Sequence, residues 1–113
     1  MTANVPLDYD FLSRQTFGDR VLQHELLALF RDQASDILSS IRQLGEGDLQ
    51  QKADLAHKLK GAALAIGAVG VAEAARGYEE ALTQPLPAQG LALVSLSSAT
   101  GEALDSIASY VNP

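Results

Sequence analysis

Apolar residues recur at helical spacing through most of this chain, and only short breaks of glycine and proline interrupt them. Spacings of three and four residues place apolar side chains on one face of a helix. No segment shows the alternation of a surface strand flanked by turn signals. The spacing predicts one short helix and four long ones, over residues 7–15, 20–44, 48–67, 70–83 and 88–110.

Two of the predicted long helices, at residues 20–44 and 70–83, each show one apolar stripe. Asp19 precedes the helix at residues 20–44 and supplies its N-cap. The apolar stripe predicted for that helix comprises Leu22, Leu26, Leu29, Phe30, Ile37, Ile41 and Leu44. The stripe predicted for the helix at residues 70–83 comprises Val71, Ala75, Tyr78 and Leu82.

The breaks between the predicted helices are short, which limits how the helices can pack. The connection at residues 45–47 is Gly-Glu-Gly, and Asp48 after it is a predicted N-cap with Gln51 as its capping-box partner. Pro85 and Pro87 make the sharpest break in the chain. Short connections place consecutive helices antiparallel. We therefore expect an all-α fold, an antiparallel up-and-down four-helix bundle with a short extra N-terminal helix.

Composition limits the class of protein. At 113 residues we expect a single domain, 1–113, with residues 1–6 as a loose leader. No window approaches the roughly 18 to 20 uninterrupted apolar residues of a membrane span, and no secretory signal is visible. The absence of cysteine excludes disulfides and thiolate metal sites, and a net charge of -6 disfavours nucleic acid as a partner. We expect a cytoplasmic protein with neither a membrane nor a nucleic-acid partner.

One histidine lies on the polar face of the helix predicted at residues 48–67. On a helical wheel His57 points about 180° away from the apolar stripe, so its side chain is expected to be exposed. Gly61 follows one turn later and removes a side chain that would crowd the ring, although glycine costs a helix about 1 kcal/mol relative to alanine. The residues expected beside His57 on this face are Gln50, Ala53, Asp54, Lys60, Gly61 and Leu64, with Lys58 further round the helix.

The stretch HKLKGAALAIG resembles the signature of the histidine-containing phosphotransfer (HPt) domains of bacterial and eukaryotic phosphorelays. That signature reads His-x-Leu-Lys-Gly, two small residues, and a second glycine six positions after the first. The corresponding residues are His57, Leu59, Lys60, Gly61, Ala62, Ala63 and Gly67. The resemblance implies that His57 accepts a phosphoryl group from a receiver-domain aspartyl phosphate and passes it to the aspartate of another receiver.

The resemblance also implies how such a chain works with others. It implies a monomeric phosphocarrier without kinase activity of its own, whose partners are response-regulator receiver domains, with a hybrid histidine kinase as a further candidate. It implies that this chain has no cofactor and no metal site, because Mg²⁺ is expected on the partner receiver domain. Two alternatives remain open: a non-phosphorylated four-helix adaptor or inhibitor that binds a receiver, and a fragment of a donor domain phosphorylated directly by a kinase.

The residue types around His57 suit phosphoryl transfer. A neutral imidazole is nucleophilic without a general base, and transfer mainly requires positioning and neutralisation of the phosphoryl oxygens. Lys60 is the first candidate to contact the phosphoryl group, and Lys58 could assist or steer an acidic partner. Gly61, Ala53, Leu64, Asp54 and Gln50 are the candidates for partner access and docking.

A polar residue, often glutamine, follows the histidine by 22 positions in many HPt domains, and that position here is Glu79. Its carboxylate could accept a hydrogen bond from one ring nitrogen and orient the imidazole, although a solvated surface glutamate is the alternative reading. Rival chemistries lack their motifs. His24 and His57 are the only histidines, 33 positions apart, and the chain has no phosphate-binding loop. His24 is expected to be a solvated helix residue.

Overall fold

The computed structural model describes residues 6–111, and within them the chain forms five α-helices and no β-strand. The predicted all-α fold class is confirmed. The predicted leader lies, for residues 1–5, outside the described residues. The helices are α1 Tyr9–Gln15, α2 Arg20–Gln43, α3 Leu49–Ile66, α4 Val69–Ala81 and α5 Leu86–Val111.

The four long helices enclose one hydrophobic core. The packing of α3 on α4 and of α4 on α5 is the most extensive, and α2 contacts both α3 and α5. Burial of the apolar stripes supplies the main stabilisation of such helices, because isolated helices of this length are marginal in water. The largest fully buried apolar side chains are Phe30, Leu7, Leu12, Leu27, Ile41, Leu59, Leu96 and Val71.

The short helix α1 covers the turn between α3 and α4. Leu7 and Leu12 are fully buried, as expected for residues that cover one end of the bundle. The backbone N–H of Asp8 donates to the carbonyl oxygen of Gly67 over 2.8 Å. Gly67 ends α3 with a φ of 81°, in the left-handed region that favours glycine. A Cβ atom at Gly67 would lie 3.0 Å from the Asp8 carbonyl oxygen and 3.1 Å from the Phe11 ring. Both the backbone conformation and the lack of space therefore favour glycine at this position.

A buried polar chain joins the beginning of α2 to the end of α5. The hydroxyl of Tyr110 donates to Gln23 Oε1, and Gln23 Nε2 donates to Thr16 Oγ1 over 3.0 Å. The ring of Tyr9 stacks on that of Tyr110 with centroids 4.9 Å apart, and the Tyr9 hydroxyl is hydrogen-bonded to Ser106 Oγ. Because the buried polar groups of Gln23 and Thr16 pair with each other, they cost little desolvation free energy.

The buried stripe of α2 differs from the prediction. Leu22 and Leu26 are half-buried and Leu29 is 54% exposed. The sequence LLALF offers two overlapping apolar faces, and α2 presents the one that also buries the paired amide of Gln23. The buried residues of α2 are Gln23, Leu27, Phe30, Ala34, Ile37, Leu38 and Ile41.

Two helix starts differ from the expected ones. Asp48 precedes α3 but makes no cap hydrogen bond to it. Its Oδ2 accepts instead from the backbone N–H of Gly45 over 2.8 Å and so closes the connecting loop. The helix α5 begins at Leu86 and includes Pro87 in its first turn, two residues before the predicted start. Proline is tolerated there because the first amide groups of a helix have no intrahelical acceptor.

Candidate functional site

The His57 side chain projects from the middle of α3 into solvent, with 70% of its surface exposed. The opposite side of the helix is fully buried at Ala56, Leu59 and Ala63, and Ile66 continues this face. The buried face fixes the rotation of α3, because turning the helix would expose these side chains and bury the imidazole. The backbone of α3 therefore holds the histidine in a defined, accessible position.

A carboxylate from α4 lies beside the imidazole. Glu79 Oε1 is 3.8 Å from His57 Nδ1 and 3.7 Å from Lys60 Nζ, so one oxygen atom lies close to both nitrogen atoms. The side chains of Lys60 and Glu79 are only 27% and 26% exposed. Both distances exceed the length of a hydrogen bond, and Glu79 Oε1 is buried without a hydrogen-bond partner among the described residues. The distance between His57 Nδ1 and Glu79 Oε1 can therefore shorten to that of a hydrogen bond when the charge on the ring changes.

The neighbours of Glu79 on α4 are engaged elsewhere. Arg76 Nη1 lies 3.5 Å from Glu80 Oε1, in a pair one helical turn apart. Tyr78 is buried, and the burial raises the pKa of its hydroxyl. The raised pKa keeps this phenol neutral in neutral solution, so it adds no charge beside the site. Glu79 is consequently the acidic group of this part of α4 that faces α3.

The remaining charged and polar candidates on α3 are not brought to the imidazole. Gln50 Nε2 donates to Asp54 Oδ1 over 2.9 Å, so these two side chains bind each other one turn before His57. Lys58 is exposed, and within residues 6–111 no carboxylate lies within ion-pair distance of it. The structure thus brings together His57, Lys60 and Glu79.

Exposed apolar positions continue from His57 towards the end of α3. Gly61 is exposed, and apart from the backbone of α3 itself no atom of residues 6–111 lies within 4 Å of the position that a Cβ would occupy there. Leu64 lies one further turn along and is 52% exposed, while Ala53, one turn before His57, is half-buried. An exposed imidazole with an unhindered glycine one turn away can be approached by another protein.

A family comparison completes the assignment of the fold. The sequence model of the Hpt domain matches residues 25–109, which include the site on α3 and α4 in full. This chain belongs to the Hpt domain family. No curated protein and no solved structure matches it. Hpt domains carry out histidine phosphotransfer in phosphorelays, in which they interact with receiver domains and kinases, and they are generally phosphocarriers rather than enzymes.

Within residues 6–111, no three histidine, cysteine, aspartate or glutamate residues are grouped so that they could hold a metal ion. None of the helices in the same range is both long and apolar enough to cross a membrane.

The second histidine of this Hpt domain does not have the solvated position expected for it. His24 is half-buried on α2, its ring meets the Tyr110 ring edge-on at 5.9 Å, and its Nε2 is buried without a partner among the described residues. It lines a cavity of about 100 Å³ between α2 and α5, together with Arg31 and Leu104. Sequence reasoning missed this position because the aromatic partner lies 86 positions away in sequence.

Sequence reasoning also missed the contact between Lys60 and Glu79. It predicts a phosphoryl contact for Lys60 and orientation of the imidazole for Glu79, but no contact between the two side chains. A signal for it exists in the sequence. Arg76 stands four positions before Glu80 and three before Glu79, so it could pair with either, and it pairs with Glu80. Glu79 is then left without a partner on its own helix, which makes it available to a cation on α3.

Proposed function

We propose that this chain is a histidine phosphotransfer protein of a multistep two-component phosphorelay. His57 accepts a phosphoryl group from the aspartyl phosphate of one receiver domain and passes it to the aspartate of another. The single observation that supports this most directly is the 70% exposed imidazole of His57 on the family-matching segment. Its Nδ1 lies 3.8 Å from Glu79 Oε1, and the same oxygen lies 3.7 Å from Lys60 Nζ.

We assign the attack on the phosphorus atom to Nε2 of His57. The other nitrogen, Nδ1, faces Glu79, whose carboxylate accepts the Nδ1 proton in a hydrogen bond as the pair tightens. This contact orients the ring and keeps the lone pair on Nε2, which points away from the carboxylate. Nε2 then attacks the phosphorus atom in line, the bond from phosphorus to the receiver aspartate breaks, and that aspartate leaves as a carboxylate.

Charge neutralisation in the transfer is assigned to the lysines and to the partner. Lys60 lies one turn after His57 and within reach of the phosphoryl oxygens, so its ammonium group offsets their charge. Lys58, which is exposed and unpaired within residues 6–111, attracts the acidic face of a receiver at longer range. Mg²⁺ is supplied by the receiver domain, and this chain carries no cofactor of its own.

The receiver docks on the exposed surface around the histidine. Gly61 leaves room for the approaching phosphoaspartate loop, and Leu64 and Ala53 provide apolar contact on either side. Asp54 and Gln50, which bind each other at 2.9 Å, form the polar edge of this surface. A small apolar centre with a polar rim is the usual composition of a transient protein interface.

The architecture that presents this surface is an antiparallel up-and-down bundle of α2 to α5 with α1 across one end, in a single monomeric domain of the cytoplasm. Two contacts support the arrangement. Tyr110, at the end of α5, is hydrogen-bonded to Gln23 at the beginning of α2. Arg42, at the end of α2, donates to Ser97 in the first half of α5 over 2.8 Å. These two contacts are those expected if α2 and α5 run in opposite directions.

The proposal is tested by incubating the protein with a radiolabelled phospho-receiver and Mg²⁺. We expect label on the wild type that is labile in acid and stable in base, and none on His57→Gln. The substitution is on a largely exposed side chain, so it should change the free energy of unfolding by less than about 0.5 kcal/mol. His24→Gln, which changes the only other histidine, should still accept label provided that circular dichroism shows a folded helical protein.

The outcomes separate the alternatives. Binding to a panel of receivers without any labelling would replace the phosphocarrier with an adaptor that occupies the receiver. Label that arrives only from ATP and a kinase, and never from a phospho-receiver, would identify a donor domain instead. Label on His24→Gln and His57→Gln alike would place the phosphoryl group elsewhere.

A further inference from the structure

One carboxylate oxygen faces both of the groups that handle the phosphoryl group. Glu79 Oε1 lies 3.7 Å from Lys60 Nζ and 3.8 Å from His57 Nδ1, and it has no hydrogen-bond partner within residues 6–111. We propose that Glu79 biases this Hpt site towards discharge, so that the phosphoryl group is held more weakly on His57 than it would be beside a neutral residue. This inference rests on the proposed function and concerns the equilibrium of the same transfer.

The charge balance of the transfer gives the direction of the effect. A neutral imidazole and an aspartyl phosphate give a phosphoimidazole and a free aspartate carboxylate. Attack by Nε2 first leaves the proton on Nδ1, and in mildly alkaline solution this proton passes to water. The phosphorylated ring then carries only a lone pair on Nδ1. The phosphorylated site has therefore gained the negative charge of the phosphoryl group and lost a hydrogen-bond donor towards Glu79.

Three consequences for Glu79 act in the same direction. A carboxylate is an acceptor only, so it faces the new lone pair of Nδ1 without a hydrogen bond. Its negative charge lies close to the phosphoryl charge in a site where Lys60 and Glu79 are about three quarters shielded from water. Lys60 must also leave Glu79 to contact the phosphoryl oxygens, and this breaks the 3.7 Å ion pair.

Glutamine at this position would reverse all three effects while keeping the orientation of the ring. Its amide oxygen still accepts the Nδ1 proton before transfer, and its amide nitrogen donates to the Nδ1 lone pair after transfer. It has no charge to repel the phosphoryl group or to hold Lys60. Glu79 is therefore a positioning residue that also sets the stability of the phosphorylated state.

The test compares the position of the transfer equilibrium, not its rate. The protein and a phospho-receiver with Mg²⁺ are mixed in mildly alkaline buffer, and the ratio of phosphohistidine to aspartyl phosphate is measured when it stops changing. We expect Glu79→Gln to shift the ratio towards phosphohistidine by about tenfold relative to wild type. Glu80→Gln removes the same charge from the adjacent residue, which is paired with Arg76, and should shift the ratio by less than about twofold.

Repeating the Glu79→Gln substitution in a Lys60→Gln variant shows whether Glu79 shifts the equilibrium through its contact with Lys60. In Lys60→Gln, the further change Glu79→Gln should shift the ratio by less than it does in the wild type, because no ion pair is left to release. A ratio in Glu79→Gln equal to or below that of the wild type would overturn the inference. A shift of equal size in Glu80→Gln would also overturn it, since the cause would then be net charge rather than this contact.

Failure of the proposed function would look different. If the wild type takes no phosphoryl group from any receiver, the phosphocarrier role fails whatever Glu79 does. The same comparison is then made on protein phosphorylated with the small donor phosphoramidate. Glu79→Gln should lose its phosphohistidine to water more slowly than wild type and Glu80→Gln, and an equal rate of loss would refute the role assigned to Glu79.

Discussion

A side chain at position 61 should make the bundle more stable and at the same time reduce access to His57. Gly61 lies inside α3, and apart from the backbone of α3 itself no atom of the described residues lies within 4 Å of the position of its missing Cβ. Alanine in a helix interior is favoured over glycine by about 1 kcal/mol, and no steric contact with these residues opposes the substitution. We expect Gly61→Ala to raise the free energy of unfolding by about 1 kcal/mol, and the melting temperature by about 4 °C for a domain of this size.

The same substitution should impair phosphoryl transfer. Residues four apart on a helix have Cβ atoms about 5–6 Å apart, so a side chain at position 61 stands directly beside the imidazole. A displacement of the reacting groups by about 1 Å can cost about a hundredfold in rate. We expect Gly61→Ala to slow transfer from a phospho-receiver by about tenfold and Gly61→Leu to slow it by at least about a hundredfold.

The two properties are measured by urea denaturation and by single-turnover transfer at matched receiver concentrations. Gly101→Ala is the control, because Gly101 is also an exposed glycine inside a long helix. Apart from the backbone of α5, no atom in the described part of the chain lies within 4 Å of its Cβ position. It should give the same gain in stability with an unchanged transfer rate. Transfer by Gly61→Leu at the wild-type rate would refute the argument that the glycine provides access, and a loss of stability in Gly61→Ala would refute the energetic part.

Three other substitutions test the turn that supports the site and the two lysines near His57. Gly67→Ala should lower the free energy of unfolding by about 2–3 kcal/mol in urea denaturation, because it forces a side chain into a φ of 81° and to 3.0 Å from the Asp8 carbonyl oxygen; an unchanged unfolding midpoint would contradict the described turn. Lys60→Gln should slow transfer by about tenfold or more, whereas Lys58→Gln should slow it by about twofold and only at low salt, as measured by single-turnover transfer across ionic strengths. Equal effects of the two lysine variants would contradict the separate roles assigned to Lys60 and Lys58.

The extent to which sequence predicts a helix face depends on how many apolar faces the segment offers. In α4 the large apolar residues are few and occur at one spacing, and Val71, Tyr78 and Leu82 are buried as predicted. In α2 the run LLALF is compatible with two rotations, and the choice depends on partners from other helices. The buried amide of Gln23, paired with Thr16, contributes to that choice and cannot be read from hydrophobic periodicity.

Local hydrogen bonds at helix ends were predicted with mixed success for a physical reason. Asp19 caps α2 as expected, with its Oδ1 accepting from the backbone N–H of Leu22 over 3.1 Å. Asp48 has the same side chain, but a glycine three positions earlier offers it a competing donor in the loop. Short polar side chains choose between helix amides and loop amides according to the path of the loop, and the sequence does not specify that path.

The candidate site was predictable where it is local to one helix. His57, Lys60 and Gly61 lie within one turn of each other, so helical geometry alone places them together. The position of Glu79 depends on the angle and register of α4 against α3, which periodicity does not determine. The family resemblance indicated this residue, but its simultaneous approach to Lys60 depends on side-chain reach in the folded bundle.

The register of α3 against α4 thus controls the chemistry of the site, and two features of the chain hold it. At the turn, the left-handed conformation of Gly67 and its hydrogen bond from Asp8 fix the point where α4 departs. Along the helices, α3 and α4 bury small residues such as Ala63 and Ala75, which allow two helices to pack closely. Close packing resists sliding, because any shift would open voids in the core. The distance between Glu79 and the imidazole is therefore a property of the bundle as a whole, although the residues that react or bind are exposed on its surface.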